Sequence, residues 1–325
     1  VRLRNLSAAE ILVVGLGILG YKNKRCNATE IRRFRAHFGA SAASCSAIFL
    51  ALQTTQIQAA RVKKPDPFYL LMTMHWFSRY QVEESYSGAP WLVDEKTFRH
   101  WAWIYTHKIQ ALKGDKVSDY DCQQVTSILT ISDDGFVFLL LDKWLWEADN
   151  QDDGEVFIIS VDGTHCRINE PRKDPSSGWY SKKHNKAGLA YELGIAIRNS
   201  KLVWINGPFP AGQNDITVYR KPNGLKSKIP ANKRVIGDEG YKGEPEQISI
   251  RNPFDTAAIR ELKHRAKARH ETFNARIKCF QILDQRFRHG NTPTKTVLDN
   301  HKAVFEAVCL MIQFEMENGH PPLFA

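Results

Sequence analysis

Three acidic residues in the second half of the chain are placed for phosphodiester chemistry. Asp162 follows the apolar run VFIISV, Asp238 follows KRVIG, and Glu271 lies inside the helical pattern RELKHRAKARHETFNARIKCF. Carboxylates at strand ends occupy the crevice of an open α/β sheet, where ligands bind. Cutting a phosphodiester at neutral pH requires an activated water and relief of charge on the leaving oxygen. Two Mg2+ (or Mn2+) ions about 3.5–4 Å apart meet both needs, and such hard cations take carboxylate oxygens. Three carboxylates from separate elements can make that clamp, so Asp162, Asp238 and Glu271 are assigned catalytic and metal-binding duty. Each also has an ordinary explanation, a turn or cap for the aspartates and a surface ion pair for the glutamate. Asp215, in NDITVYR, is a lower-ranked alternative ligand, with helix capping, shared with Asn214, as its competing role.

The surroundings of Glu271 are basic. Between Arg260 and His289 there are nine Lys/Arg and three Asp/Glu, and one helical face runs Arg260, His264, Lys267, Glu271, Asn274, Lys278. A carboxylate inside such a stripe can point at strand ends while its neighbours hold phosphates, so His264, Lys267, Arg276 and Lys278 are expected DNA contacts. A zinc site built on His165 and Cys166 is set aside, because adjacent residues of a strand point to opposite faces.

These side chains need elements to position them. VFIISVD, GLAYELGIAIR, KLVWIN and KRVIGD read as strands, a helix starts near Asn214, and long helical patterns cover Thr256–Phe287 and Thr296–Glu317. That order predicts an α/β domain over residues 156–325. Ahead of it, WEADNQDDGE makes 146–155 an acidic, turn-rich linker. Residues 66–145 form an acidic helical region, with Phe98, Trp101, Ile104, Tyr105 and Ile109 at spacings of three and four. Residues 1–65 form a basic helical region in which Gly39 breaks two helices and Ser41 caps the second. Such a pair fits a helix-turn-helix, with Arg32, Arg33 and Arg35 as its DNA contacts.

Composition agrees. The chain has 325 residues, 43% hydrophobic and 25% charged, which excludes wholesale disorder. Six cysteines without a C-x-x-C pair exclude a disulfide scaffold and point to a reducing compartment. No apolar run approaches the ~20 residues of a membrane span. The apolar stretch Ala8–Gly20 has the outline of a secretory leader, but Glu10 interrupts it. Its Gly15, Gly17 and Gly20 spell G-x-G-x-x-G, yet nothing acidic follows near position 40, so no dinucleotide site is assigned. The net charge of +10 divides into +9 over residues 1–65, −9 over 66–155 and +10 over the remainder. Two basic blocks of that size suggest a polyanionic partner, nucleic acid above all.

VDGTH, GPFPAGQND, IGDEGYKG and RHETFNARIKCF, in this order, resemble the DDE-type transposases of the PIF/Harbinger superfamily over about Val156–Phe324. The resemblance implies an RNase H-like nuclease fold, a mixed sheet with flanking helices. Its triad would be Asp162, Asp238 and Glu271, with 76 positions between the aspartates and 33 from Asp238 to Glu271. Related enzymes carry Tyr-x2-Arg-x3-Glu-x6-Lys around the glutamate; here His264, Lys267, Glu271 and Lys278 stand at those offsets, so a lysine's point charge replaces arginine's planar fork. The implied activity is cleavage at transposon ends and joining of the 3′-OH to target DNA. The resemblance also implies two metal ions, a Myb-like DNA-binding partner protein, a homodimer or larger assembly, and a nuclear location if the source is eukaryotic. The competing readings are a domesticated, non-transposing DNA-binding or chromatin protein and an RNase H-like nuclease for RNA or hybrids.

Overall fold

The computed structural model describes residues 6–21, 26–54, 65–80, 88–116, 156–170, 176–183, 185–197, 201–229, 231–287 and 295–321. The linker expected at 146–155 and the acidic stretch 117–145 lie outside the described residues.

The first half is helical. Helix α1 (Ala8–Ile18) starts in a capping box: Ser7 Oγ accepts the Glu10 N–H, and the Glu10 carboxylate accepts the Ser7 N–H at 2.8 Å. The G-x-G-x-x-G run is therefore the end of a helix, with Gly15 and Gly17 inside it and Gly20 in the turn beyond at φ 79°. Gly15 lets Phe34 close on it, since a Cβ there would meet the ring at 2.5 Å. Helix α2 (Ala28–Phe38) ends at Gly39 in the left-handed region, φ 74°, and Ser41 caps α3 (Ala42–Thr54) through the Ser44 N–H. Helix α4 (Pro67–Ser78), helix α5 (Glu95–Ala111) and the single turn α6 (Lys113–Lys116) complete this half.

In a DNA-reading helix pair the second helix supplies the base contacts. Here α3 carries no charged residue and buries Cys45, Ile48, Phe49 and Leu52. The basic side chains sit on α2, and two are engaged: Arg33 pairs with Glu30 at 2.9 Å and Arg35 with Glu315 at 2.9 Å.

The second half is a mixed sheet. Its strands are β1 (Val156–Arg167), β2 (Tyr180–Ser181), β3 (Lys186–Ala196), β4 (Leu202–Pro210), β5 (Lys233–Ile236) and β6 (Ile248–Ser249). β4, β3 and β1 pair antiparallel, β1, β5 and β6 pair parallel, and β2 pairs with the start of β3. Short helix α7 (Asp215–Tyr219) follows β4, and α8 (Ala257–Lys278), α9 (Gln281–Asp284) and α10 (Lys295–Glu317) follow the sheet.

Strand β1 is longer than its apolar run predicts, and Asp162 lies inside it rather than after it. The β1–β3 ladder continues to Arg167↔Gly188, whereas the β1–β5 ladder stops at Ser160↔Ile236. Asp162 is thus the second residue past the point where β5 leaves the sheet.

Both halves share one core. Ile11, Phe34, Ile48, Leu71 and Phe98 belong to the same apolar cluster as Leu189, Tyr191, Phe273 and the inner face of α10. Polar ties run along α10. His301 bonds Tyr191 Oη at 2.7 Å, Glu306 accepts from Lys113 and Gln110, and Gln313 accepts the Leu202 N–H at 2.9 Å. Buried Glu315 accepts the Ser41 N–H at 2.8 Å and the Ser44 hydroxyl at 2.6 Å, besides pairing with Arg35. Removing one member of a buried, bonded charge set strands the rest. Glu315→Ala is therefore expected to lower the unfolding free energy by about 3 kcal/mol, read as a fall in urea midpoint at unchanged slope.

Candidate active site

The sheet register builds the site. Ser160 of β1 stands opposite Ile236 of β5 in a parallel ladder. Two residues on, along both strands, come Asp162 and Asp238. Side chains two apart share a face, so the paired register carries both carboxylates to the same side. β5 ends at Ile236, and Asp238 caps the following turn, accepting the Gly240 N–H at 2.9 Å.

Asp215 joins them. Its Oδ1 lies 2.6 Å from where a Cβ on Gly163 would stand, and its Oδ2 2.6 Å from the same point on Gly240. Asp238 Oδ1 lies 3.0 Å from that second point. Glycine at 163 and 240 therefore makes room for the Asp215 carboxylate, which lies close to Asp238. Asp215 does not cap α7, since the cap position is Asn214, whose side chain makes no capping bond.

The charges confirm the crowding. Burial, then the Asp238 carboxylate, pushes the Asp162 carboxyl up to about 6; Lys183 and the Gly163 N–H pull the other way. Asp215 is raised by burial and by Asp238, again opposed by Lys183. Behind them sits Glu192 on β3, 2% exposed, receiving the Trp204 indole N–H at 2.8 Å. Burial, with Asp215 adding, lifts Glu192 to about 7 against that hydrogen bond.

Helix α8 forms the opposite wall. Lys263, Ala266, His270, Phe273 and Ile277 face inward, and His270 Nε2 bonds the Ser160 carbonyl oxygen at 2.7 Å. The next face, Arg260, His264, Lys267, Glu271, Asn274 and Lys278, lines a cleft of about 1140 Å³ together with Asp162, Asp238 and Lys183. Asp162, Asp238 and Glu271 thus open onto one cavity. They differ in contact, however. Asn274 Nδ2 donates to Asp162 Oδ2 at 2.9 Å, whereas Glu271 is 67% exposed with Lys267 at 3.8 Å. Among the described residues, no three His, Cys, Asp or Glu side chains stand close enough together to hold an ion in this side-chain arrangement.

Of the expected DNA contacts, His264, Lys267 and Lys278 line the cleft. Arg276 does not. It donates to the His320 and Pro321 carbonyls at 2.7 and 2.8 Å, so its charge ties α8 to the chain end beyond α10. His165 Nδ1 bonds Ser181 Oγ at 2.7 Å, and Cys166 is buried.

Asn274, Lys183 and Glu192 belong to the site although sequence reasoning gave them no role. Asn274 lay on the predicted stripe, one helical turn from Glu271. The Gly163–Glu192 pairing follows only from the β1–β3 register.

Residues 161–313 match a family model described as DDE superfamily endonuclease. The matched stretch holds Asp162, Asp215, Asp238, Glu271 and Asn274, and it indicates nuclease or transposase-like chemistry for this part of the chain. No curated protein and no solved structure matches the chain. No described helix is long and apolar enough to cross a membrane.

Glu192 makes a signed prediction. Its folded-state value of about 7 exceeds the ordinary 4.5. The native state therefore holds a proton that the unfolded chain releases between those values, and stability falls as pH rises through that window. Glu192→Gln, which keeps an acceptor for Trp204, should stabilise the protein at pH 8 by on the order of 3 kcal/mol. The gain should vanish near pH 4.5, as measured by urea unfolding at both pH values.

Proposed function

We propose that this protein is a metal-dependent DNA endonuclease and strand transferase, a DNA transposase that cuts at transposon ends and joins the 3′-OH to target DNA. The observation that carries the reading is that Asp162, Asp238 and Glu271 open onto one cleft lined by a basic helix face, just past the point where the β1–β5 ladder ends. The strand order β4-β3-β1-β5-β6, antiparallel then parallel, with α8 packed on it, supports an RNase H-like description.

The donor set fits hard divalent cations. Carboxylates that raise one another's proton affinity are short of a positive charge, and oxygen donors suit Mg2+ and Mn2+. Asp162, Asp238 and Glu271 are the proposed ligands, with Asp215, seated beside Gly163 and Gly240, as the lower-ranked alternative. When bound, a pair of such ions activates the attacking oxygen and relieves charge on the leaving one.

The chain's own groups do the rest. Lys267, His264 and Lys278 hold backbone phosphates along α8, whose Arg260–Lys278 face spans about 27 Å, roughly eight base pairs. Asn274 orients the Asp162 carboxylate. Lys183 offsets the acid cluster until substrate or cations enter. Glu271, tethered only loosely to Lys267, turns inward by a change of rotamer. DNA as substrate accords with the family match. The Myb-like partner, the homodimer or larger assembly and the nuclear location rest on the PIF/Harbinger resemblance.

Mg2+-dependent nicking of duplex DNA tests the reading. Asp162→Asn, Asp215→Asn, Asp238→Asn and Glu271→Gln are each expected to reduce it by about a thousandfold or more, with DNA affinity retained. Wild-type-like nicking by these variants, or preferential cleavage of RNA or hybrid, would refute it. Asn274→Ala should instead weaken Mn2+ binding by about tenfold, the usual cost of losing a group that orients a ligand. A titration of melting temperature against Mn2+ reads that loss without any turnover.

A further inference from the structure

The segment between β6 and α8 presents an aromatic ring to solvent in a fixed position. Phe254 is 92% exposed. Its loop is fastened on several sides. Asn252 Oδ1 accepts the Phe254 N–H at 3.0 Å, Asp255 Oδ2 accepts the Asn252 N–H at 3.1 Å, and the Asn252 carbonyl accepts the Asp255 N–H at 3.1 Å. Lys263, itself nearly buried, pairs with Asp255 at 2.8 Å and donates to the Ile250 carbonyl at 2.6 Å. Pro253 restricts the backbone before the ring. An apolar side chain gains nothing from being held in water, and a loop this well pinned is not one whose aromatic residue has simply come loose.

The loop is also a wall between two hollows. Arg251, Asp255 and Lys263 line the acid-floored cleft, and the same three line a second cavity of about 590 Å³. That second cavity also borders Arg234 and Lys242, so cationic residues lie on both sides of the wall. Asn252 and Pro253 line the second cavity and Asp255 lines both, so a strand running from one to the other crosses the loop that carries Phe254.

We propose that Phe254 is a wedge on which a displaced DNA base stacks as the strand crosses from the catalytic cleft into the neighbouring basic cavity, so that this site takes DNA with an unpaired base beside the cleft. The proposal rests on the nuclease reading above. An aromatic face stacks on any base, and apolar wedges between base steps unstack and kink a duplex. Phosphate contacts on either side supply affinity without sequence information; the ring supplies preference for a distorted step.

The test uses the full chain in metal-free buffer with two probes, a short fully paired duplex and the same duplex with one mismatched pair whose base is 2-aminopurine. Wild type is expected to bind the mismatched probe about tenfold tighter and to change the fluorescence of the probe base. Phe254→Ala should bind both probes alike and leave the fluorescence unchanged, and Phe254→Trp should restore both effects. Melting temperatures should match throughout, since the ring buries almost no surface against the described residues. A preference retained in Phe254→Ala, or absent from wild type, overturns the proposal. So does a change in sedimentation of Phe254→Ala with the preference intact, which would make the ring a contact between copies of the chain. Failure here with metal-dependent nicking still lost in Asp162→Asn would leave the nuclease reading standing; nicking by Asp162→Asn would remove that reading instead.

Discussion

Carboxylates gathered on one side of a sheet repel, and the Asp238 charge adds to burial in holding the Asp162 carboxyl above its ordinary range. Nothing in Asp162 or Asp238 favours that arrangement. It is imposed two residues earlier, where Ile159 and Ser160 pair with Val235 and Ile236. The apolar side chains of β1 and β5 sink into cores on both faces of the sheet, and a slip of one residue would swap every one of them into the core shaped for its neighbour. The sheet thus holds the acids together because the cost of moving them is borne by the hydrophobic register. Asp215 enters from a third segment, admitted by two glycines.

The opposite wall is arranged on a different principle. Helix α8 is anchored by Ala266, Phe273 and Ile277 and by His270, whose ring reaches the β1 backbone. That anchoring fixes which face of the helix looks across at the acids. The facing side chains are long and mostly exposed, so they can follow a polyanion, while the acid floor is short and rigid. Mobile cationic arms above a fixed anionic floor suit a ligand that is negative along its length and meets positive ions at one point.

Much of this was legible in the linear chain. The strand runs in the second half, the last long helix and the Gly39 break appear where the residue pattern put them, and the stripe from Arg260 to Lys278 lines the cleft as its helical spacing required. The helical pattern expected over Thr256–Phe287, however, breaks after Lys278 into a separate turn at Gln281–Asp284. What escaped the sequence were properties of pairing rather than of residues. The length of β1 beyond Asp162 depends on β3, not on its own apolar run. Asp215 looked like one of two competing helix caps, because nothing local reveals the space left by Gly163 and Gly240. Arg35 and Arg276 looked like surface cations until α10 and the chain beyond it supplied their partners.

Helix α10 lies against α3, α5 and β4, and it closes a core begun near the other end of the polypeptide. From Ala111, where α5 ends, to Lys295, where α10 starts, the ribosome must add the whole sheet. Throughout that interval the early helices have an oily trough with no cover, the kind of surface that invites aggregation or a chaperone. The front and back of this polypeptide therefore mature together: neither the helical bundle nor the core behind the sheet is finished until the same late helix drops into place.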